Sequence, residues 1–385
     1  MISVNNHIHS PYSFSPFDTI EQVVKQAGEE MLSVLGISDT GTFEGFSEFE
    51  SACEAHGIYP LFNVEFEARL NNPVNSRKIL LCGKGLNQSP SFSTDASNLM
   101  ASIWKGTQDR IWKMLAILNE YLKAQGLDIN LTYNGVRKVY ARNSVRGRHV
   151  ARALYMSLIR KWKDPLKLNL AFKRLFDDVS YSADYLNATA IQEEICRRLF
   201  GSGKVAFVKK KPEGLLCLQE AKRIILEAGG IPCYLLSADE VSALDGTPNP
   251  ASGLARRLME MRIYAIEFIP NQMSFDLLKK CALYFHKNGF CVTLGTGCST
   301  FECGSLVPVC KNGEALDEEL QKISYEGACI VAANQEMHRL GHTGFVDING
   351  ERVVTGNNLK AFIHSGDELI RERLARSLAQ KQVSL

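Results

Sequence analysis

The chain has 385 residues, 45% of them hydrophobic and 22% charged, with a formal net charge of +2. That balance is ordinary for a water-facing protein, long enough for one large or two modest domains, and it excludes a molecule drawn as a whole to polyanions. No uninterrupted apolar run reaches the length of a bilayer span, and no basic segment followed by an apolar one opens the sequence.

The first ninety residues alternate in type. "MISVNNHI" reads as a strand, and "DTIEQVVKQAGEEM" as a helix with Asp18 or Thr19 at its N-cap. "LSVLGIS" has the apolar continuity of a buried strand, and "FSEFESACEAHG" reads as a helix closed by Gly57. "YPLFNVEFEA" and "KILLCG" are further strands. Strand–helix alternation of this kind implies βαβ units and a parallel sheet.

From about residue 92 to 210 strand signals nearly vanish. Trp104, Ile111, Met114, Leu115, Leu118 and Leu122 recur at helix spacing, and "RHVARALYMSLIRKW" and "ATAIQEEICRRLFG" are similar. Alternation then resumes, with strands expected at "IPCYLL", "IYAIEFI" and "FCVTLG". Near the end, Asn349-Gly350 lies between alternating segments, a hairpin signal. The simplest architecture is an α/β barrel, all strands parallel, interrupted by a helical insertion; a doubly wound open sheet is the alternative. The expected organisation is a discontinuous barrel over 1–90 and 211–340, a mostly helical insertion over 91–210, and a C-terminal hairpin and tail over 341–385.

In such a barrel, functional groups collect where strands end. His7 and His9 sit one residue apart, so on a strand both rings face the same way and can share one metal ion. The second strand ends in Ser38 and Asp39, and the third carries Glu65 between Val64 and Phe66, which face the opposite side. Two histidines and a carboxylate can hold a divalent ion with coordination positions left open. The eleven cysteines form no C-x-x-C pair and several lie in apolar runs, as in "ILLCG" and "GFCVTLG", so reduced, buried thiols and a cytoplasmic location are expected. Residues 137–163 hold nine Lys or Arg and no acid, beside Tyr140, Tyr155 and Trp162. Such a run suits a phosphorylated ligand or a nucleic-acid backbone, or simply a solvated helix face balanced by acids elsewhere; the last is favoured, a nucleic-acid partner stays open as the less favoured reading, and no membrane partner is expected.

These stretches carry a resemblance. "HIHSPYSFSPFDTIEQVVKQA", "VLGISDTGTFEGFSEF" and "LFNVEFEA" resemble the polymerase-and-histidinol-phosphatase (PHP) superfamily, whose members open with H-x-H, continue with a strand ending (S/T)-D-H and then one ending G-x-E. "SVRGRHVARAL", "EAGGIPCYLLS" and "FCVTLGTGCS" are similar to later segments of the branch that hydrolyses nucleotide and oligonucleotide phosphates. The resemblance implies a distorted seven-stranded (β/α) barrel, a cluster of divalent metals at the strand C-termini, and phosphoester hydrolysis. It places Arg148 and His149 at the pocket, with Arg148 against phosphate and His149 and Asp39 as catalytic groups. The departures matter as much. Thr40 stands where a histidine follows S-D, and Phe14 or Ser15, Leu80, Leu236, Gly297 and Ser299 stand where further ligands are usual. What remains is His7, His9 and Glu65 as metal ligands, enough for at most one divalent ion (Zn, Mn or Mg). Cys298, beside a lost position, is a candidate replacement.

Three functions stand as alternatives. The first is a metal-dependent phosphoesterase with a reduced site and weak activity on a phosphorylated small molecule or nucleotide. The second is an inactive protein, without a metal, that binds an anionic ligand. The third is a scaffold presenting the helical insertion to a partner.

Overall fold

In the computed structural model, the described residues are 2–70, 77–182, 184, 187–209, 215–244, 250–297, 301 and 304–383. The first half contains β1 (Val4–Ile8), α1 (Ile20–Glu29), β2 (Val34–Thr40), α2 (Phe46–His56), β3 (Tyr59–Leu70) and β4 (Arg77–Lys84). Helices α3 (Thr94–Ala124), α4 (Tyr133–Tyr140), α5 (Gly147–Lys161), α6 (Pro165–Leu175) and α7 (Ala188–Ile195) come next. The chain then continues through β5 (Leu216–Cys217), α8 (Leu218–Glu227), β6 (Ile231–Leu235), α9 (Ala238–Leu244), α10 (Pro250–Glu260), β7 (Ala265–Phe268), α11 (Phe275–Lys287), β8 (Cys291–Leu294), α12 (Glu318–Arg339) and α13 (Asn357–Val383).

The strands form one sheet in the order β1-β2-β3-β4-β6-β7-β8, with the two-residue β5 paired to β3. The sheet curls into a nearly closed barrel. Its two ends meet through loop contacts: the Gly297 amide donates to the His7 carbonyl at 3.0 Å and the Thr296 amide to Asn5 Oδ1 at 3.2 Å. Gly295 is required at this seam, because a Cβ there would lie 2.4 Å from His7 Cβ. This is the α/β barrel expected from the sequence, with one correction. Strand β4 runs antiparallel to both β3 and β6, so the sheet is mixed rather than all parallel. Hydrophobic periodicity reports which face of a strand is buried and carries no information on its direction. The direction here comes from the short connection between β3 and β4, which can join only antiparallel neighbours.

Local chemistry accounts for the helix ends. Thr19 caps α1, its hydroxyl accepting from the Gln22 amide while Gln22 Oε1 accepts from the Thr19 amide. Gly57 closes α2 in the left-handed conformation, at φ 75°. At the C-terminal end, Asp347 accepts from the Asn349 and Glu351 amides, and Val346 bridges Arg352 across the Asn349-Gly350 turn. Beyond that turn the chain is helical, with α13 lying along α12.

Helices α3 to α7 bury a hydrophobic cluster of their own, including Ile111, Leu118, Leu154, Phe172 and Ile195. Phe14, from the loop after β1, and Phe301, from beyond β8, join that cluster. The helical layer is thereby fastened over the mouth where β1 and β8 end.

Candidate metal centre

Strand β1 places the His7 and His9 rings on one side, both buried, with Nε2 atoms 3.3 Å apart. Parallel pairing of β2 and β3 sets Thr40 opposite Glu65, which brings the Glu65 carboxylate to the same level. Its Oε2 lies 3.8 Å from His7 Nε2, and its Oε1 accepts from the Thr40 hydroxyl at 3.4 Å. One ligand atom from each of His7, His9 and Glu65 fits within 4.8 Å of the others. Nitrogen ligands ~2.0–2.1 Å from a tetrahedral zinc lie roughly 3.3–3.4 Å apart, so the spacing of the two Nε2 atoms suits a shared ion.

The electrostatics agree with that fit. Burial first, then His7 and Arg146, hold the His9 imidazole well below its ordinary pKa, so the ring stays neutral and keeps a lone pair. Burial raises the Glu65 carboxyl, a penalty that His7 partly offsets. His7 Nδ1 lies 2.7 Å from Glu267 Oε2. Burial alone would raise the Glu267 carboxyl, but Lys84 and then His7 outweigh it and leave it at about 2. Glu267 is therefore an anion and a pure acceptor, and His7 Nδ1 must carry the hydrogen. His7 Nε2 is then the ring nitrogen left to face His9 and the cavity, the arrangement by which a carboxylate aims a histidine at a metal. A second group, His7, Cys82 and Glu267, has the proximity for a metal as well. Its chemistry does not suit one: Glu267 already binds Lys84 Nζ at 2.6 Å, and burial holds the Cys82 thiol well above its ordinary pKa.

The His7–His9–Glu65 group opens into a cavity of about 520 Å³ between the barrel mouth and the helical layer. Arg110, Arg146 and Arg148 line it. The Nε atoms of Arg110 and Arg146 are buried and have no hydrogen-bond partner among the described residues. Arg146 donates from Nη2 to the Thr40 carbonyl at 2.7 Å, and the Glu67 and Glu65 carboxylates act on its charge. Arg148 is more engaged: it pairs with Glu193 at 2.6 Å and lies over the Phe14 and Phe301 rings. Leu80 and Gly297, where the resemblance would put ligands, face the cavity without donor side chains. Cys298 and Ser299 lie outside the described residues.

Two sequence candidates sit apart from this cavity. Asp39 is buried, and it accepts from the Ser10 amide at 2.8 Å, the Ser13 hydroxyl at 2.6 Å and the Ser10 hydroxyl. Burial raises its pKa to about 6 although Ser10 and Ser13 oppose the shift. Its link to the metal group runs through Ser13, whose hydroxyl is 3.4 Å from His9 Nδ1. His149 is buried against Phe14, and its Nδ1 accepts from the Arg146 amide at 2.9 Å. Burial, then Arg152 and Arg146, lower its pKa to about 3. The ring thus caps the start of α5 and holds Arg146 in place. Sequence reasoning did not single out Arg146, Lys84 or Glu267. A carboxylate inside the apolar run "YAIEFI" and a lysine inside "LLCGKG" were the available signals.

Comparison with known proteins bears on this geometry. Residues 5–134 match the family described as PHP domain. A proposed metal-dependent phosphoesterase from Bifidobacterium adolescentis has a similar structure, with a TM-score of 0.53 at 15% identity over 83% of this chain and 94% of that one. An amidohydrolase from Chromobacterium violaceum, solved with bound sulfate and no metal, gives 0.51 at 18% identity over 83% and 96%. No curated protein matches. Among the described residues, no helix is long and apolar enough to cross a membrane. The match to the PHP domain family covers residues 5–134, about a third of the chain, and the likeness to the two solved structures extends the shared barrel fold over most of the rest.

Proposed function

We propose that the protein is a phosphoesterase working with one divalent ion held by His7, His9 and Glu65, and that its turnover is slow. The observation that carries this reading is the convergence of two imidazole nitrogens and a carboxylate at the floor of a cavity lined by arginines. When bound there, a divalent ion supplies Lewis acidity and lowers the pKa of water into the neutral range. The chain's own residues do the rest. Arg146 and Arg110 present guanidinium N–H donors to a phosphoryl group and neutralise the charge that develops on it. The helical layer excludes bulk water and limits the ligand to something that fits about 520 Å³, a phosphorylated small molecule or a nucleotide. Slow turnover is expected from the cavity positions occupied by Leu80 and Gly297, which leave a second ion without ligands among the described residues. Asp39, whose oxygens are taken by Ser10 and Ser13, supports the loop that carries His9, and it reaches the reaction only through Ser13.

The test is metal content and turnover of the purified protein on mononucleotides, short oligonucleotides and sugar phosphates with added Mn²⁺ or Zn²⁺. The expected result is no more than one tightly held ion, with slow hydrolysis lost on chelation and in His9→Ala. Turnover that survives both treatments would reject the metal assignment. Full occupancy by two ions, or fast turnover abolished by chelation, would reject the single-ion, slow-turnover reading.

A further inference from the structure

Lys84, at the end of β4, is the only lysine among the described residues whose side chain lies at 0% exposure. A lysine buried so completely needs a partner for its charge. Its Nζ donates to Glu267 Oε1 at 2.6 Å and to the Asn6 carbonyl at 3.2 Å. The Thr293 hydroxyl donates to the same Glu267 oxygen at 3.1 Å. With Oε1 committed to two donors, Oε2 is the oxygen left for His7 Nδ1.

We infer that Lys84 is a positioning residue for the His7–His9 centre, anchoring Glu267 so that it takes the Nδ1 hydrogen of His7 and leaves Nε2 turned to the cavity. This rests on the metal reading above. The anchoring works because Lys84 joins the two strands concerned. One of its bonds goes to the carboxylate on β7 and the other to the β1 backbone one residue before His7. The distance between the carboxylate and the His7 ring is thereby fixed from both sides. An acceptor-only carboxylate at Nδ1 admits one neutral tautomer, the one with its lone pair on Nε2. Without Lys84 the carboxylate is free to turn away from Nδ1, and the ring loses its preference for that tautomer.

The experiment compares the full-length wild type with Lys84→Met and Thr293→Val, and with Leu81→Ala as a core control on the same strand. Zn²⁺ affinity is measured by calorimetry, and the His7 ring tautomer by ¹⁵N NMR without metal. Lys84→Met is expected to lose the Nδ1–H preference and to bind Zn²⁺ at least roughly tenfold more weakly, as for other groups that orient metal-binding histidines. Thr293→Val, which removes a neutral donor to the same oxygen, should shift both readouts in the same direction by less. Leu81→Ala should lose stability and change neither. Wild-type affinity and tautomer in Lys84→Met would overturn the inference. If Lys84→Met does not fold, Lys84→Gln is measured instead, and unchanged affinity and tautomer there would overturn it equally. If the wild type binds no Zn²⁺ through His7 and His9, the proposed function fails, whereas the tautomer comparison still judges Lys84.

Discussion

His7 and His9 face each other through their Nε2 atoms at 3.3 Å. Glu267 takes the Nδ1 side of His7, and burial holds the His9 ring neutral, so the two Nε2 atoms are the ring nitrogens that meet at the cavity. Two imidazole nitrogens at that spacing suit a shared divalent ion. His7→Ala and His9→Ala should each weaken Zn²⁺ or Mn²⁺ binding by well over roughly tenfold, because each removes one of three protein ligands. Calorimetric titration of the purified variants checks this. Retention of wild-type affinity in either would mean that the ion sits elsewhere.

Gly295 supports the same ring from behind. An added Cβ would lie 2.4 Å from His7 Cβ and 2.6 Å from His7 N, against backbone that cannot yield. Gly295→Ala should therefore cost about 1–3 kcal/mol in denaturant unfolding, the usual range for overpacking a close contact. It should also weaken metal binding, because the displaced residue is His7. Gly304→Ala is the comparison: nothing lies within 4 Å of its added Cβ, and neither quantity should change.

The alternation of apolar strands and amphipathic helices was legible because burial imposes periods of two and 3.6 on the sequence. The direction of β4 was not legible, since a reversed strand keeps the same period. At the site, His7 and His9 stood out because rare side chains one residue apart on a strand must share a face. Glu267 and Lys84 carried only the weak signal of a charge in an apolar run, and their mutual neutralisation depends on β4 and β7 meeting across the barrel interior. Arg146 was hidden among nine basic residues, and which of them faces the cavity depends on how α5 starts. His149 looked like a pocket residue from its motif, yet its Nδ1 is spent on the Arg146 amide.

That use of His149 gives a pH dependence. Its pKa is lowered to about 3 in the fold, against 6.5 in an unfolded chain, chiefly by burial and then by Arg152 and Arg146. Because the folded value is depressed, the unfolded state takes up the proton first. The stability from a neutral His149 is fully present above pH 6.5 and falls as the pH drops toward 3, by ~1.4 kcal/mol per pH unit. Between pH 7 and pH 5 this amounts to roughly 2 kcal/mol. In His149→Gln, which keeps an acceptor for the Arg146 amide, the same interval should cost less by about that amount. Urea unfolding of both proteins at the two pH values measures the difference, and parallel losses would show that His149 is not buried neutral.

The arginines differ in how free they are to meet an anion. Arg148 is neutralised by Glu193 at 2.6 Å and held over two phenylalanine rings. Arg146 donates to the Thr40 carbonyl and feels the Glu67 and Glu65 carboxylates, but its buried Nε has no hydrogen-bond partner among the described residues. An ionic group with donors to spare gains more from an incoming phosphate than one already paired. Arg146→Met should therefore weaken binding of inorganic phosphate by roughly 10- to 100-fold, the worth of one or two charge-assisted hydrogen bonds at about 1.5–3 kcal/mol. Arg148→Met should cost less than Arg146→Met, because removing it also frees Glu193 to turn toward solvent. Calorimetry with phosphate, in the absence of added metal, ranks the two. A larger loss in Arg148→Met would make Arg148 the principal phosphate ligand and leave Arg146 as a fastener between α5 and the end of β2.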